Sequence, residues 1–194
     1  VLLPGFVNAH THLPMTLMRG YGGGCDLHTW LNQYIFPAEA RLDSRAVAAG
    51  AGLGLAEMIA SGVTCVADMY MHTGTIAEQI LEAGISANLS CGGVYFGAPE
   101  DFSPETCGDC RNQAALTEEW HGAGAGQILV DASVHGEYTS NPPLWRWMAE
   151  YAAEHRLGMH VHVSETQSEH QASLERWGKT PIQALDGCGV WDCG

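Results

Sequence analysis

Two histidines one residue apart, His10 and His12, are the first residues in the sequence whose type and spacing could do chemistry. They close the stretch Pro4-Gly5-Phe6-Val7-Asn8-Ala9-His10-Thr11-His12, which follows the apolar residues Val1-Leu2-Leu3. Such a run reads as a short buried strand, and since successive strand side chains alternate between faces, His10 and His12 share one. Two imidazoles there are half of a metal site, and neutral imidazole suits zinc and, less well, other divalent first-row ions. The spacing alone leaves a second reading open, two hydrogen-bonded core histidines. Three later apolar runs end in the same manner: Asp68-Met69-Tyr70-Met71-His72, His135-Gly136-Glu137, and His160-Val161-His162-Val163-Ser164-Glu165. His162 is a candidate third ligand. Glu165, three residues on, can reach a metal-bound water while the imidazole stays on the metal, which is the geometry a proton shuttle needs.

The elements that must position these residues follow one repeating pattern. A helical segment is expected around residues 30–35, ending before Pro37. Asp43 or Ser44 caps a helix in which Val47, Ala51, Leu55, Met58 and Ile59 recur at helical spacing, with Gly62 as its stop. Residues 63–69 read as a strand. Thr75 and Glu78 form a capping box for a helix that stops at Gly84, and residues 85–94 return as a strand. A loop over 97–110 and a weaker helix over 114–120 precede a strand over 127–134. Asn141-Pro142 opens a helix with Leu144, Trp147, Met148 and Tyr151 on one face, Gly158 ends it, and 159–163 is the next strand. Thr166-x-x-Glu169 and Thr180-Pro181-Ile182-Gln183 cap two last short helices.

Strands alternating with amphipathic helices argue for an α/β protein of parallel strands joined by right-handed crossovers. No Gly-x-Gly-x-x-Gly or Walker-type loop follows any strand, which weakens a nucleotide-binding open sheet. The competing architecture is a (β/α)8 TIM barrel, whose chemistry sits at the C-terminal strand ends, where the polar residues above also fall. A complete barrel takes about 250 residues, so the expectation is an incomplete barrel domain over 1–194, about five βα units.

Composition narrows the function. The 46% hydrophobic and 15% charged content fits an ordinary globular protein. A net charge of −14 works against phosphate contacts, so nucleic acid and anionic membranes are poor partners. The most apolar long stretch, 46–60, is shorter than the roughly 20 residues that cross a bilayer. Seven cysteines, an odd number, fit reduced thiols and a cytoplasmic location better than a disulfide framework. Cys107-Gly108-Asp109-Cys110 is a lone Cys-x-x-Cys, read as structural.

The segment from Pro4 to Gly20, Pro-Gly-Phe-Val-Asn-Ala-His-Thr-His-Leu-Pro-Met-Thr-Leu-Met-Arg-Gly, together with Trp30-Leu31, Pro37-Ala38-Glu39, Asp68-Met69-Tyr70 and His162-Val-Ser-Glu165-Thr-Gln, resembles the amidohydrolase superfamily. Within it the chain is most similar to 5-methylthioadenosine/S-adenosylhomocysteine deaminases and their guanine deaminase and chlorohydrolase relatives. The resemblance implies a metal-dependent hydrolase on a (β/α)8 barrel that deaminates an adenine nucleoside and releases ammonia. It makes His10, His12 and His162 ligands of one divalent metal, Zn2+ first and Fe2+ second. Glu165 matches the general acid/base and also meets the substrate, Glu39 matches a carboxylate that binds the nucleoside sugar, and His135 matches a substrate contact. Bland alternatives stay beside these: Glu39 as a solvent carboxylate at a helix end, and His135 as a hydrogen-bonded strand-end residue. His160 matches no ligand and reads as structural or as a support for a ligand, His72 is open, and His28, His121, His155 and His170 read as solvated. A cytidine-deaminase zinc site needs His-x-Glu followed by Pro-Cys-x-x-Cys. His135-Gly136-Glu137 matches the first half, but the only Cys-x-x-Cys precedes it.

The family pattern also has a later strand-end His, a metal-binding Asp and a flanking β-sandwich, expected to be absent from these 194 residues. Members that take S-adenosylhomocysteine place an Arg near the end of the third strand, where Cys91 stands here, with Arg111 as a substitute. The alternatives are guanine deamination or triazine dechlorination on the same fold and, from another class, an inactive packing or binding module, the expected state of the isolated fragment. The expected partner is a small purine nucleoside, with a homo-oligomer left open.

Overall fold

The computed structural model describes residues 1–193. The chain divides into two compact units, Val1–Ala87 and Asn88–Gly194. In the first, strand β1 (Phe6–Thr11) runs parallel to β2 (Val63–Met69). β1 is not the buried strand that its composition suggests, since Phe6 and Val7 are 60% and 66% exposed. The strand is held by its backbone ladder to β2 rather than by burial of these two side chains. Asn8 pairs with Val66 and Thr11 with Asp68, so β1 carries one residue more than β2 over that interval. The extra residue is a bulge across Ala9 and His10, a local bend that re-aims side chains at a strand end.

Helix α1 (Ser44–Ala60) is capped by Asp43, which accepts from the Ala46 N–H at 2.8 Å. Its buried stripe is Val47, Gly50, Ala51, Gly54 and Leu55. Ile59, expected on that face, is 46% exposed. Twelve residues past Val47 it stands about a third of a turn off the stripe. The two glycines bring α1 against the turn Leu13–Met18. A Cβ on Gly50 would lie 2.6 Å from Pro14 O, and the Thr16 hydroxyl donates to Gly50 O at 2.7 Å. That turn begins directly after His12, so the close approach sets how the chain leaves the histidine strand. Gly50→Ala in the full-length protein is expected to cost about 1–3 kcal/mol by overpacking. Unchanged urea denaturation would show that the turn yields freely.

Two helix starts differ from the sequence reading. No break precedes Pro37: helical turns Leu27–Trp30, Leu31–Ile35 and Phe36–Glu39 run on, the middle one a π-turn closed by the Phe36 N–H on Leu31 O. Pro37 then falls in a first turn, where its missing N–H is tolerated. Helix α2 (Thr73–Ala83) starts two residues before the supposed Thr75–Glu78 box, from His72 at φ 53°. The Thr73 hydroxyl donates to Tyr70 O at 2.8 Å and closes the turn early. Gly84, at φ 76°, ends the helix as expected.

Strand β3 (Ser86–Ser90) leads into the second unit, which contains β4 (Ile128–Val130), β5 (Ala132–Gly136) and β6 (Met159–His162), with β5 and β6 parallel. The single strand expected over 127–134 is therefore two. The Asp131 N–H donates to Leu89 O while the next N–H, of Ala132, donates to Gly158 O, so the chain changes partner there. The unit also holds helices α3 (Gly108–Trp120), α4 (Pro142–His155), α5 (Gln167–Trp177) and α6 (Pro181–Asp186). Helix α3 starts six residues earlier than the 114–120 reading and shortens the preceding loop. The boxes at Thr166–Glu169 and Thr180–Gln183 form as read. Leu144, Trp145 and Met148 of α4 pack with Val134, Leu185 and Val190 into one core, which also holds Cys107 and Cys110 as small apolar residues. No helix among the described residues is long and apolar enough to cross a membrane.

Candidate functional site

In the first unit the strand-end residues gather as the alternation requires. The His10 and His12 rings stand edge to face with centroids 4.8 Å apart. His12 Nδ1 lies 2.5 Å from Met69 O, at the end of β2. A carbonyl only accepts, so Nδ1 carries the proton and Nε2 is the nitrogen able to ligate a metal. Asp68, fully buried, accepts from the Leu13 N–H at 2.6 Å and so pins the residue that follows His12. Burial pushes its carboxyl up to about 7, against the pull of that N–H. Glu39 is 9% exposed, which removes its reading as a solvent carboxylate. Burial raises its pKa and the neighbouring Tyr70 hydroxyl opposes the rise. The Tyr70 phenol is itself pushed up by burial and by the carboxylates of Glu39 and Asp68. His72 is exposed, with Nδ1 3.3 Å from the Ser44 hydroxyl.

In the second unit, His162 Nδ1 lies 2.7 Å from His135 O. This is the arrangement of His12 again, and it leaves Nε2 as the ligating atom. A bulge makes it available: Val134 pairs with Val161 and Gly136 with His162, so His135 is an extra residue on β5. The His135 ring stands 4.9 Å from that of His162, with Nδ1 3.0 Å from the Thr139 hydroxyl. His160 Nδ1 is 3.0 Å from the Ser90 hydroxyl, which fits its structural reading. Glu165 follows Ser164, a non-glycine residue at φ 56°, and projects an exposed side chain. The Tyr138 hydroxyl donates to Glu165 Oε2 at 3.3 Å. Tyr138 carried no signal in the sequence beyond following His135 by three residues.

Other candidates resolve into structure. Glu137 is 1% exposed, accepting from Arg176 through both oxygens at 2.8 Å and from the Trp177 indole at 2.5 Å. Its position in His-x-Glu is therefore an ion pair inside the fold. The Cys91 thiol contacts Gln113 Oε1 at 3.5 Å, and burial pushes it up to about 12. Arg111 donates to Glu105 O at 2.8 Å from an exposed position. His28, His121, His155 and His170 are exposed, as read, although His121 accepts from the Val130 N–H and His155 stacks on Tyr151.

Comparison with known proteins returns one family, described as "Amidohydrolase family", which matches residues 1–191. A 5'-deoxyadenosine deaminase of Methanobrevibacter smithii is 42% identical over 192 residues, which are 97% of this chain and 42% of that protein. A 5-methylthioadenosine/S-adenosylhomocysteine deaminase of Moorella thermoacetica is 39% identical over 194 residues, 99% of this chain and 44% of the relative. Among solved structures, an adenosine deaminase from Xanthomonas campestris with bound zinc superposes with a TM-score of 0.86 at 30% identity, over 96% of this chain and 42% of that one. The chain thus spans under half the length of the relatives it matches.

Proposed function

The chain belongs to the amidohydrolase family, with the α/β fold of an incomplete (β/α) barrel, and from that premise we propose that its protein is a metal-dependent hydrolytic deaminase of an adenine nucleoside. His10, His12 and His162 are the proposed ligands of one divalent ion, zinc first and Fe2+ second. Imidazole suits zinc, and a similar adenosine deaminase carries zinc. The observation that carries the reading is the pair of bonds from His12 Nδ1 to Met69 O and from His162 Nδ1 to His135 O. Each fixes the tautomer that points Nε2 outward as a ligand, the support that metal-bound histidines ordinarily have. Bound there, a divalent ion supplies Lewis acidity and makes water a nucleophile near neutral pH.

The remaining steps fall to side chains of this chain. Glu165 takes a proton from the attacking water on its carboxylate and delivers it to the ring nitrogen beside the amine-bearing carbon; it then moves the second proton, from the new hydroxyl, to the amine, so that the C–N bond breaks, the carbonyl forms and ammonia leaves. The Tyr138 hydroxyl on Oε2 steadies that carboxylate. Glu39 accepts from the sugar hydroxyls. A carboxylate whose burial already disfavours its charge gains most from such donors. His135 contacts the bound base. The neutral thiol of Cys91 stands where related enzymes that accept S-adenosylhomocysteine have an Arg, and Arg111, the substitute, is already bonded to Glu105 O, so an amino-acid carboxylate has a poorer partner here. The favoured substrates are adenine nucleosides with a small uncharged 5'-group. The protein is placed in the cytoplasm, and residues 1–194 are taken as part of one barrel domain.

The test is a substrate panel on the full-length protein. Ammonia release from 5'-deoxyadenosine and 5-methylthioadenosine, with a lower kcat/KM on S-adenosylhomocysteine, is the expected result. Ammonia from guanine or chloride from a chlorotriazine, with the adenine nucleosides untouched, would replace the reading by its neighbours on the same fold. No turnover of any of them by metal-loaded protein would leave a binding module.

A further inference from the structure

We infer that Glu169 is a positioning residue that sets where the Glu165 carboxylate stands, and this rests on the reading of Glu165 as the proton shuttle. In an ordinary capping box the glutamate three residues into the helix reaches back to the N–H of the capping residue alone. Here the reach goes further. Glu169 Oε1 accepts from the Ser164 N–H at 3.0 Å, and Oε2 accepts from the Glu165 N–H at 2.5 Å. The bond to the capping residue itself, the Thr166 N–H, is the longest of the three at 3.4 Å. The carboxylate therefore grips two residues outside the helix more closely than the residue it caps.

Two features say that this grip matters to Glu165. Ser164 holds φ 56°, a left-handed conformation that costs a non-glycine residue energy and persists only where the surroundings impose it. A carboxylate pulling the N–H groups on both sides of that residue's carbonyl inward is such an imposition. Glu169 is 6% exposed, so its charge is buried among these N–H donors, and charge-assisted bonds of this kind are the stronger ones. The Glu165 side chain, by contrast, is exposed, with the Tyr138 hydroxyl at 3.3 Å as its hydrogen-bond donor. One hydroxyl steadies its head while the Glu169 carboxylate holds its backbone N–H, so the direction in which the side chain leaves the backbone decides whether its carboxylate can stand where Tyr138 meets it.

The experiment compares full-length wild type, Glu169→Ala, Glu169→Asp, Glu165→Gln and the double variant Glu165→Gln/Glu169→Ala, with 5'-deoxyadenosine as substrate. Asp keeps a charge in the first helical turn but is one methylene too short to reach residues 164 and 165. Both single variants at 169 are expected to lose kcat by about 10- to 100-fold, the scale of a 1 Å misplacement, with KM and bound zinc unchanged. In the Glu165→Gln background, removing Glu169 should cost little more, since residues acting as a unit are not additive. Equal losses in both backgrounds, a loss confined to KM or zinc content, or wild-type kcat in Glu169→Asp would each overturn the proposal. Hydrogen exchange at the amides of 164–166 is read in the same proteins and does not depend on turnover. Faster exchange in Glu169→Ala supports the grip, and unchanged exchange overturns it even if no adenine nucleoside proves to be a substrate. Where Glu169→Ala does not fold, the isosteric Glu169→Gln carries the same comparisons.

Discussion

Glu165→Gln in the full-length protein is expected to bind its metal and its nucleoside normally and to lose kcat by about a hundred- to ten-thousand-fold, the range of a positioned general acid/base. The substitution keeps the shape of the side chain and its hydrogen bond from Tyr138, since the amide oxygen still accepts from the hydroxyl now 3.3 Å from Oε2. What it removes is the proposed capacity to take a proton from water and return it to the ring. That capacity matters only in the transition state, so kcat and kcat/KM should fall together while KM stays near its original value. A loss of about 3–5 kcal/mol of transition-state stabilisation is being asked of one atom change. Steady-state kinetics with ammonia detection makes the measurement. Turnover within a few-fold of wild type would remove Glu165 from the chemistry and leave its neighbour Glu169 as a plain helix cap.

His162→Ala is expected to strip the protein of metal and, with it, of activity. Two things disappear together: the proposed ligand nitrogen Nε2, and the Nδ1–H that occupies the carbonyl of the bulged residue His135 at 2.7 Å. Loss of an outer partner alone typically lowers metal affinity about 10- to 100-fold, so loss of the ligand should exceed that. After dialysis, elemental analysis should give much less than one metal per chain. Full stoichiometry in His162→Ala would exclude this residue from the centre. The parallel substitution His10→Ala tests the bulged end of β1 by the same measurement. Thr139→Ser and Ser44→Ala, by contrast, should leave stoichiometry untouched, because the imidazoles that Thr139 and Ser44 meet are those of His135 and His72, neither of them a proposed ligand.

The strand and helix pattern was legible because it is local. Alternation places His10 and His12 on one face, and their rings do lie 4.8 Å apart. The boxes at Thr166 and Thr180 need only residues three apart, and both formed. The box at Thr75 failed for an equally physical reason. Its residues have the right spacing, but the bond from Thr73 to Tyr70 O starts the helix first. The strand expected over 127–134 broke at Asp131 because neighbouring N–H groups there serve different partner strands, and composition carries no trace of that.

By itself the sequence determined the alternation of strands and helices, the family, and which residues could be ligands or acids. The alternation follows from residue type and short-range periodicity, which act before the chain is folded, and the family and its site residues follow from the resemblance of whole motifs. Only the tertiary structure decided how those residues are presented. The bulges at His10 and His135 depend on which residue of the partner strand each one faces. The tautomer of His12 depends on a carbonyl 57 residues away, and that of His162 on one 27 residues away. The burial of Glu39 and the two-residue overreach of Glu169 are likewise set by packing and backbone path. A hydrogen bond between distant residues costs the chain a closed loop and leaves no mark on either residue's identity, so no local pattern could have announced it.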